Sequence, residues 1–273
     1  MKFGMPPAAR PGPLRAVVFD LFDTLVDEDR ERLPEADVLG NRVRSTHPML
    51  HAAIAERADV AFDTFARALR EVDRSVRDAI FHEGRELPTR ARFERLVERL
   101  ALSDPDLPGI LTEVHMGGLR SAVVCLPHHA DVLAALRRRF RIGLCSNFSH
   151  AATARAVLED VGLLRHFDGL AISEDVGLRK PRREIFEAIL TGLGVEPGET
   201  LHVGDNLVAD VSGAAALGIH TAWITRRVRD PDAVLSGHDG PPPAWIIRDL
   251  AELPERLGCA EPGLAVEEPP GIG

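Results

Sequence analysis

Apolar positions follow two different rhythms along this chain, and the change from one to the other divides it. Ala16-Val17-Val18-Phe19 is a short apolar run that stops at Asp20, the mark of a buried strand ending in a carboxylate. From Pro48 onward Leu50, Ile54, Ala58, Phe62, Phe65, Leu69, Val72, Val76 and Ile80 recur at steps of three or four. That spacing predicts an amphipathic helix, or a kinked pair, about thirty residues long. Phe93, Leu96, Val97 and Leu100 mark another helix starting near Thr89. Pro105 and Pro108 break the chain, and residues 110–119 read as one more helix. No strand pattern appears across residues 26–122, so this segment is expected to be all-helical.

From Leu126 the rhythm changes to alternation. Helical stretches at 130–140, at 151–161, around Ile185, Phe186, Ile189 and Leu190, and at 208–217 are interleaved with short apolar runs. Those runs lie at 141–146, 169–173, 200–203, 221–224 and 244–247, and a last helix is expected at 250–257. Such alternation predicts an α/β fold, a doubly wound parallel sheet covered on both faces. The strand at 16–19 belongs to that sheet, which makes the helical segment an insertion behind it. The expected division is a core of residues 1–25 and 126–258, a helical insertion of 26–125, and a tail of 259–273. The tail's Pro, Gly and Glu read as disorder.

Composition narrows the class of partner. A net charge of −9 over 273 residues, with no basic cluster, argues against binding to a nucleic-acid backbone. Apolar content of 45% and charged content of 27% are those of an ordinary globular chain. No stretch approaches the roughly 20 apolar residues of a membrane span, and the proline-rich N-terminus lacks the apolar run of a signal peptide. Cys125, Cys145 and Cys259 are too scattered for a zinc site or a disulfide frame, so free thiols and a cytoplasmic location are expected. Only Lys2 and Lys180 are lysines among 33 basic residues, and a compact ammonium is something Arg does not copy.

In an open parallel sheet ligands bind beyond the carboxyl ends of the strands. Polar signals fall at or near four such ends: Asp20, Ser146-Asn147, Lys180, and Gly204-Asp205-Asn206 with Asp210 a turn further on. Alone, a strand-end Asp or Ser is more often a helix N-cap, and Lys180 a solvated loop residue. In this order they resemble the four motifs of the haloacid dehalogenase-like hydrolase superfamily, and the helical insertion stands where one branch of it carries an α-helical cap.

The resemblance implies a Mg²⁺-dependent phosphatase acting on a small phosphorylated metabolite. Asp20 would attack phosphorus, Thr24 and Asn147 would bind the substrate, and Ser146 and Lys180 would stabilise the transferring group. Asp20, the backbone carbonyl of Phe22, Asp205 and Asp210 would hold Mg²⁺, with Asn206 supporting them. The sequence departs from the pattern at Phe22, where phosphatases of the superfamily carry an acid/base Asp. Asp23 follows one residue late and reads as a turn-stiffening group, with takeover of proton transfer as the alternative. Phe22 also resembles the 2-haloacid dehalogenases, which attack carbon without metal and lack the Gly-Asp pair that stands here at Gly204-Asp205. A third reading is a catalytically poor protein that binds metal and phosphate in a regulatory role. His128 and His129, before a helix, read as capping or surface residues. His82, Glu83, Arg85 and Arg90 lie in the insertion, where an Arg facing the site would suit a substrate carboxylate.

Overall fold

The computed structural model describes residues 13–259. Four consecutive apolar residues make β1 (Ala16–Phe19), buried along its whole length. It is followed by β2 (Asp27–Glu28), a hairpin of β3 (Glu35–Val38) and β4 (Asn41–Arg44), then α1 (His47–Ala55), α2 (Phe62–Val76), α3 (Thr89–Arg99) and α4 (Leu107–Ser121). The chain returns through β5 (Val123–Val124) into α5 (His129–Arg137), β6 (Arg141–Ser146), α6 (Ala151–Asp160), β7 (Gly169–Ile172), α7 (Ser173–Val176) and α8 (Arg183–Leu193). It closes with β8 (Thr200–Gly204), α9 (Gly213–Ala215), β9 (His220–Ile224), α10 (Pro231–Ser236), β10 (Trp245–Ile247) and α11 (Leu253–Arg256).

Six strands pair in parallel in the order β10-β9-β8-β1-β6-β7. The side-chain period of two splits β1 between the two faces. Val17 and Phe19 pack with Ile142, Leu144, Leu201 and Val203 on one side. Ala16 and Val18 meet Ile185, Phe186 and Ile189 on the other. Strand order reverses at β1, which has the earlier strands on one flank and β8 on the other. This is the switch point at which doubly wound sheets open a crevice. In register, Phe19 sits opposite Leu144 of β6 and Val203 of β8, so Asp20, Ser146 and Asp205 emerge together at one edge.

The insertion has a separate core in which Leu50, Ile54, Phe65, Leu69, Phe93, Leu96, Leu107 and Leu111 pack together. The insertion departs from expectation in its strands, and two helices expected in the core are reshaped. The segment is not all-helical, because β3 and β4 pair antiparallel around Leu39 (φ 56°) and Gly40 (φ 83°). Two positive φ values in a two-residue loop are the hairpin geometry that matches strand twist. The polar composition of these strands (Glu35, Asp37, Asn41, Arg42, Arg44) hid them. The long apolar stripe is two helices, with residues 56–61 between them and the loop fastened by His51 Nε2 to the Val60 carbonyl at 2.7 Å. The helix expected at 208–217 is a wide π-type turn, Leu207–Ser212, running into the short α9. The expected last helix at 250–257 is a 3₁₀ turn, Leu250–Glu252, followed by α11. Of the tail only Cys259 is described, and it is buried in the core; the remaining tail residues, and the N-terminal segment 1–12, lie outside the described residues. Among the described residues no helix is long and apolar enough to cross a membrane.

Of the contacts that tie the insertion to the core, two sets frame the site. The chains entering and leaving it pair as β2 with β5. Residues 84–89 dock on the loops behind β6 and β7. Glu86 N–H donates to the Gly177 carbonyl at 2.9 Å, Arg179 N–H to Gly84 at 3.0 Å, and Thr89 N–H to Ser149 at 2.9 Å. Buried Glu86 accepts from Ser173 Oγ, which in turn accepts from Phe148 N–H at 2.8 Å. The insertion thereby touches the segments on either side of Asn147 and Lys180.

Candidate active site

The crevice at the switch point gathers charge that the protein interior ordinarily excludes. Asp20 follows β1, its N–H on the Val203 carbonyl at 2.9 Å. Lys180 Nζ reaches Asp20 Oδ1 and Asp210 Oδ1, both at 2.6 Å. His202, inside β8, donates Nε2–H to the same Asp210 oxygen at 3.0 Å, and the Asn206 N–H donates to Asp210 Oδ2 at 2.9 Å. Asp205, the next residue after β8, is held by its carbonyl, which accepts from Trp223 Nε1 at 2.7 Å. Among the described residues its carboxylate has no ion-pair partner. One oxygen each from Asp20, Asp205 and Asp210 lies within 4.8 Å of the others.

Two buried carboxylates, Asp20 and Asp210, and the half-buried Asp205 face one ammonium and leave an excess of negative charge. Burial pushes Asp20 up to about 6, with Lys180 opposing and Asp210 adding. Burial and the repulsion of Asp20, Asp210 and Asp23 push Asp205 up to about 7. Asp210 goes the other way: burial works against its charge, but Lys180 and His202 outweigh it and hold the group well below the carboxylate range. Burial disfavours charge on Lys180 too, yet the two carboxylates keep it firmly protonated. His202 is pushed down by burial, and its Nδ1 is buried with no hydrogen-bond partner among the described residues.

The local folds that deliver these groups follow from the sequence. Gly204 is required because a Cβ there would stand 2.3 Å from Asp210 Cγ. Asn206 caps the wide turn by accepting from the Val208 and Ala209 N–H groups at 3.0 and 2.8 Å, which turns Asp210 inward. Wide turns of this type often mark functional sites. Gly204→Ala is therefore expected to cost about 1–3 kcal/mol by overpacking, as denaturant unfolding would show.

Of the sequence-predicted residues, Asp20, Lys180, Asp205 and Asp210 converge. Ser146 ends β6 beside them and is buried. Thr24 is fully buried and its Oγ1 has no hydrogen-bond partner among the described residues. Asn147 is employed differently from the expectation. Its Oδ1 accepts from the Lys180 N–H at 2.7 Å and its Nδ2 donates to the Lys180 carbonyl at 3.0 Å, so it fixes the lysine. Asn206 likewise spends its side-chain oxygen on the turn. The Phe22 ring stacks on Phe148, centroids 5.1 Å apart and planes at 25°. Asp23, at φ 60°, is partly exposed and paired with Arg227 at 2.9 Å. In the insertion, Arg85 pairs with Glu83 at 2.7 Å and Arg90 with Glu94 at 3.2 Å, and His82 is exposed. His202, Phe148 and Trp223 were not singled out in the sequence. A His within an apolar parallel strand is the one legible signal, since a buried imidazole needs a partner.

This arrangement, carboxylates and an ammonium at the switch point of a doubly wound sheet, defines a class. The sequence matches the haloacid dehalogenase-like hydrolase family over residues 14–218, and the chain belongs to that family of hydrolases. It is 33% identical over 169 residues to the pyrimidine 5'-nucleotidase YjjG of Escherichia coli, covering 62% of this chain and 70% of that protein. A HAD phosphatase from Thermococcus onnurineus superposes with a TM-score of 0.61 at 26% identity, over 90% of this chain and 98% of that one. The 2-haloacid dehalogenase of Pseudomonas syringae pv. tomato shares the fold with a TM-score of 0.67 at 24% identity, again over 90% and 98% of the two chains.

Proposed function

We propose that the protein is a Mg²⁺-dependent phosphatase acting on a small phosphorylated metabolite through a phosphoryl group carried on Asp20. The observation that supports this most is the meeting of Asp20, Asp205 and Asp210, with Lys180 the cation paired among them in the described residues. Hard carboxylate oxygens are the donor set that Mg²⁺ prefers. Asp20, Asp205 and the Phe22 carbonyl would hold the ion. Asp210 already accepts bonds from Lys180, His202 and Asn206, and contributes chiefly by placing the lysine. When bound, the ion supplies charge neutralisation for the transferring group.

The chain's own residues do the rest. Asp20 attacks phosphorus, Lys180 Nζ and the Ser146 and Thr24 hydroxyls take the phosphoryl oxygens, and water then releases phosphate from Asp20. The inserted segment, docked beside Asn147 and Lys180, serves as the cap that selects the substrate. Phosphate release from p-nitrophenyl phosphate or acetyl phosphate, lost with chelator, is the expected behaviour. Failure across a broad phosphate panel rules the reading out.

Phe22 sets the leaving-group preference. Its side chain carries no proton, so acyl and aryl phosphates should turn over far better than alkyl phosphates. General acid–base catalysis is worth roughly 10²–10⁴-fold, and Phe22→Asp places a carboxylate against the Phe148 ring, a poor setting for it. A gain at the low end, on the order of 10²-fold, is expected on an alkyl phosphate, with little change on p-nitrophenyl phosphate. Equal gains on both would show that Phe22 does not limit proton transfer. Phe22 is also the one feature that favours dehalogenation. Metal-independent chloride release from 2-chloropropionate would establish that reading, and strict Mg²⁺ dependence would remove it.

Metal and pH are linked through the two raised carboxylates. Asp20 (about 6) and Asp205 (about 7) keep protons in the folded, metal-free state that the unfolded chain releases near 3.8. Their stabilising contribution is therefore present below that value and lost as pH rises toward 7. Asp210 acts oppositely, its low folded value adding stability that is lost only in acid. Saturating Mg²⁺ should accordingly raise the melting temperature more at about pH 8 than at about pH 5. The same rise at both would mean that these carboxylates do not bind the ion.

A further inference from the structure

On the far side of the loop that carries Thr24 lies a second cluster of donor groups. His128 Nε2 meets Asp249 Oδ1 at 2.6 Å, and His129 stands against His128 edge to face, centroids 4.8 Å apart. One donor atom from each of His128, His129 and Asp249 lies within 4.8 Å of the other two. Contrary to its reading as a capping or surface residue, His129 is fully buried. Its Nδ1 lies 2.8 Å from the Leu25 carbonyl, an acceptor only, so Nδ1 carries the proton and Nε2 presents a lone pair. That Nε2 is buried and has no hydrogen-bond partner among the described residues.

An imidazole held by its Nδ1–H on a backbone carbonyl, with Nε2 free, is the posture of a metal-ligating histidine. A buried acceptor left without a partner otherwise has no compensation. We infer that His128, His129 and Asp249 form a binding site for a d-block divalent cation, Zn²⁺ by the chemistry of its donors, separate from the carboxylate site in the crevice. Two imidazoles and one carboxylate suit Zn²⁺ and leave a fourth position for water. They suit Mg²⁺ poorly, since it prefers oxygen throughout. On binding, the metal displaces the proton shared by His128 and Asp249.

The donors stand in the form a metal needs. Burial, His128 and Arg226 outweigh the Leu25 carbonyl and Asp249 and push His129 below its ordinary range, which favours the neutral imidazole. Burial disfavours charge on Asp249, but the Ala251 N–H and His128 outweigh it and keep the carboxylate ionised. Arg226, the nearby cation, is itself clamped by Asp27. Through Leu25 the site reaches the loop that carries Thr24 and leads into β2. A bound metal would therefore pin the first helix after the insertion, the turn at 250–252 and the catalytic loop to one another.

The test uses untagged, chelator-stripped full chain carrying Asp205→Asn to disable the crevice site, with Co²⁺ as spectroscopic probe and Zn²⁺ in calorimetry. One Co²⁺ per chain with ligand-field bands of a nitrogen-containing site, displaced by Zn²⁺ and not by Mg²⁺, is expected. His128→Gln and Asp249→Asn alter side chains that are 42% and 28% exposed, so they preserve the fold, and circular dichroism checks this. Each should weaken Zn²⁺ binding by more than the roughly 10–100-fold that loss of a supporting partner costs. Absence of Co²⁺ bands and of Zn²⁺ heat, or folded variants that bind as tightly as their parent, overturns the inference.

Discussion

Asp20→Asn is expected to abolish phosphate release, by on the order of 10⁴-fold or more, because an amide cannot form the acyl phosphate. Substrate binding should survive, since Lys180, Ser146 and Thr24 are untouched. Stability should move in the opposite direction to activity. Burial raises Asp20 to about 6, so above that pH its charge is a cost to the metal-free fold. At about pH 8 in chelator the Asn variant should therefore melt no lower than the parent, and the gap should close below about pH 5. A variant that is inactive only because it is unfolded would melt earlier at both. Strain of this kind at a working site is the usual origin of stability–activity trade-offs.

Lys180→Met is the second large effect, and here activity and stability should fall together. The ammonium is 2% exposed and lies 2.6 Å from each of Asp20 and Asp210. Removing it leaves buried carboxylates without their counter-charge, which costs about 3–5 kcal/mol. Loss of a fixed cation aimed at developing charge lowers turnover by about 10²–10³-fold. On the proposed reading Mg²⁺ should recover part of the stability, since it would neutralise Asp20, but little of the rate. Lys180→Arg should not rescue, because the planar fork does not fit between two oxygens placed for a point charge. Equal melting temperatures for parent and Lys180→Met in chelator would mean that the lysine does not balance the cluster.

Much of this arrangement was legible in the chain because the sheet is buried on both faces. Strand β1 reads as an unbroken apolar run and β6, β8 and β9 as mostly apolar ones, so the polar residues at their ends are conspicuous. A parallel order then brings Asp20, Ser146 and Asp205 to one edge without further information. What stayed hidden depends on partners distant in sequence. Asn147 gave no sign that its amide would close on the backbone of Lys180. His128 and His129 looked like residues before a helix because Leu25 and Asp249 come from opposite ends of the chain. The hairpin β3–β4 escaped for another reason: its alternating residues are mostly charged, and Leu39 at positive φ is a turn choice that composition does not favour. The wide turn after β8 was read as a helix because its apolar spacing is helical. Only the need to turn Asp210 inward explains its geometry.

The account rests on Asp20 as the atom donor to phosphorus. Reaction with acetyl phosphate and Mg²⁺, acid quench, borohydride reduction and peptide mass spectrometry test that directly, because reduction converts an aspartyl phosphate to homoserine. The expected result is homoserine at position 20 that disappears when Mg²⁺ is chelated or when Lys180 is replaced by Met. Steady phosphate release with Asp20 unmodified, or modification at Asp23 in its place, would contradict it.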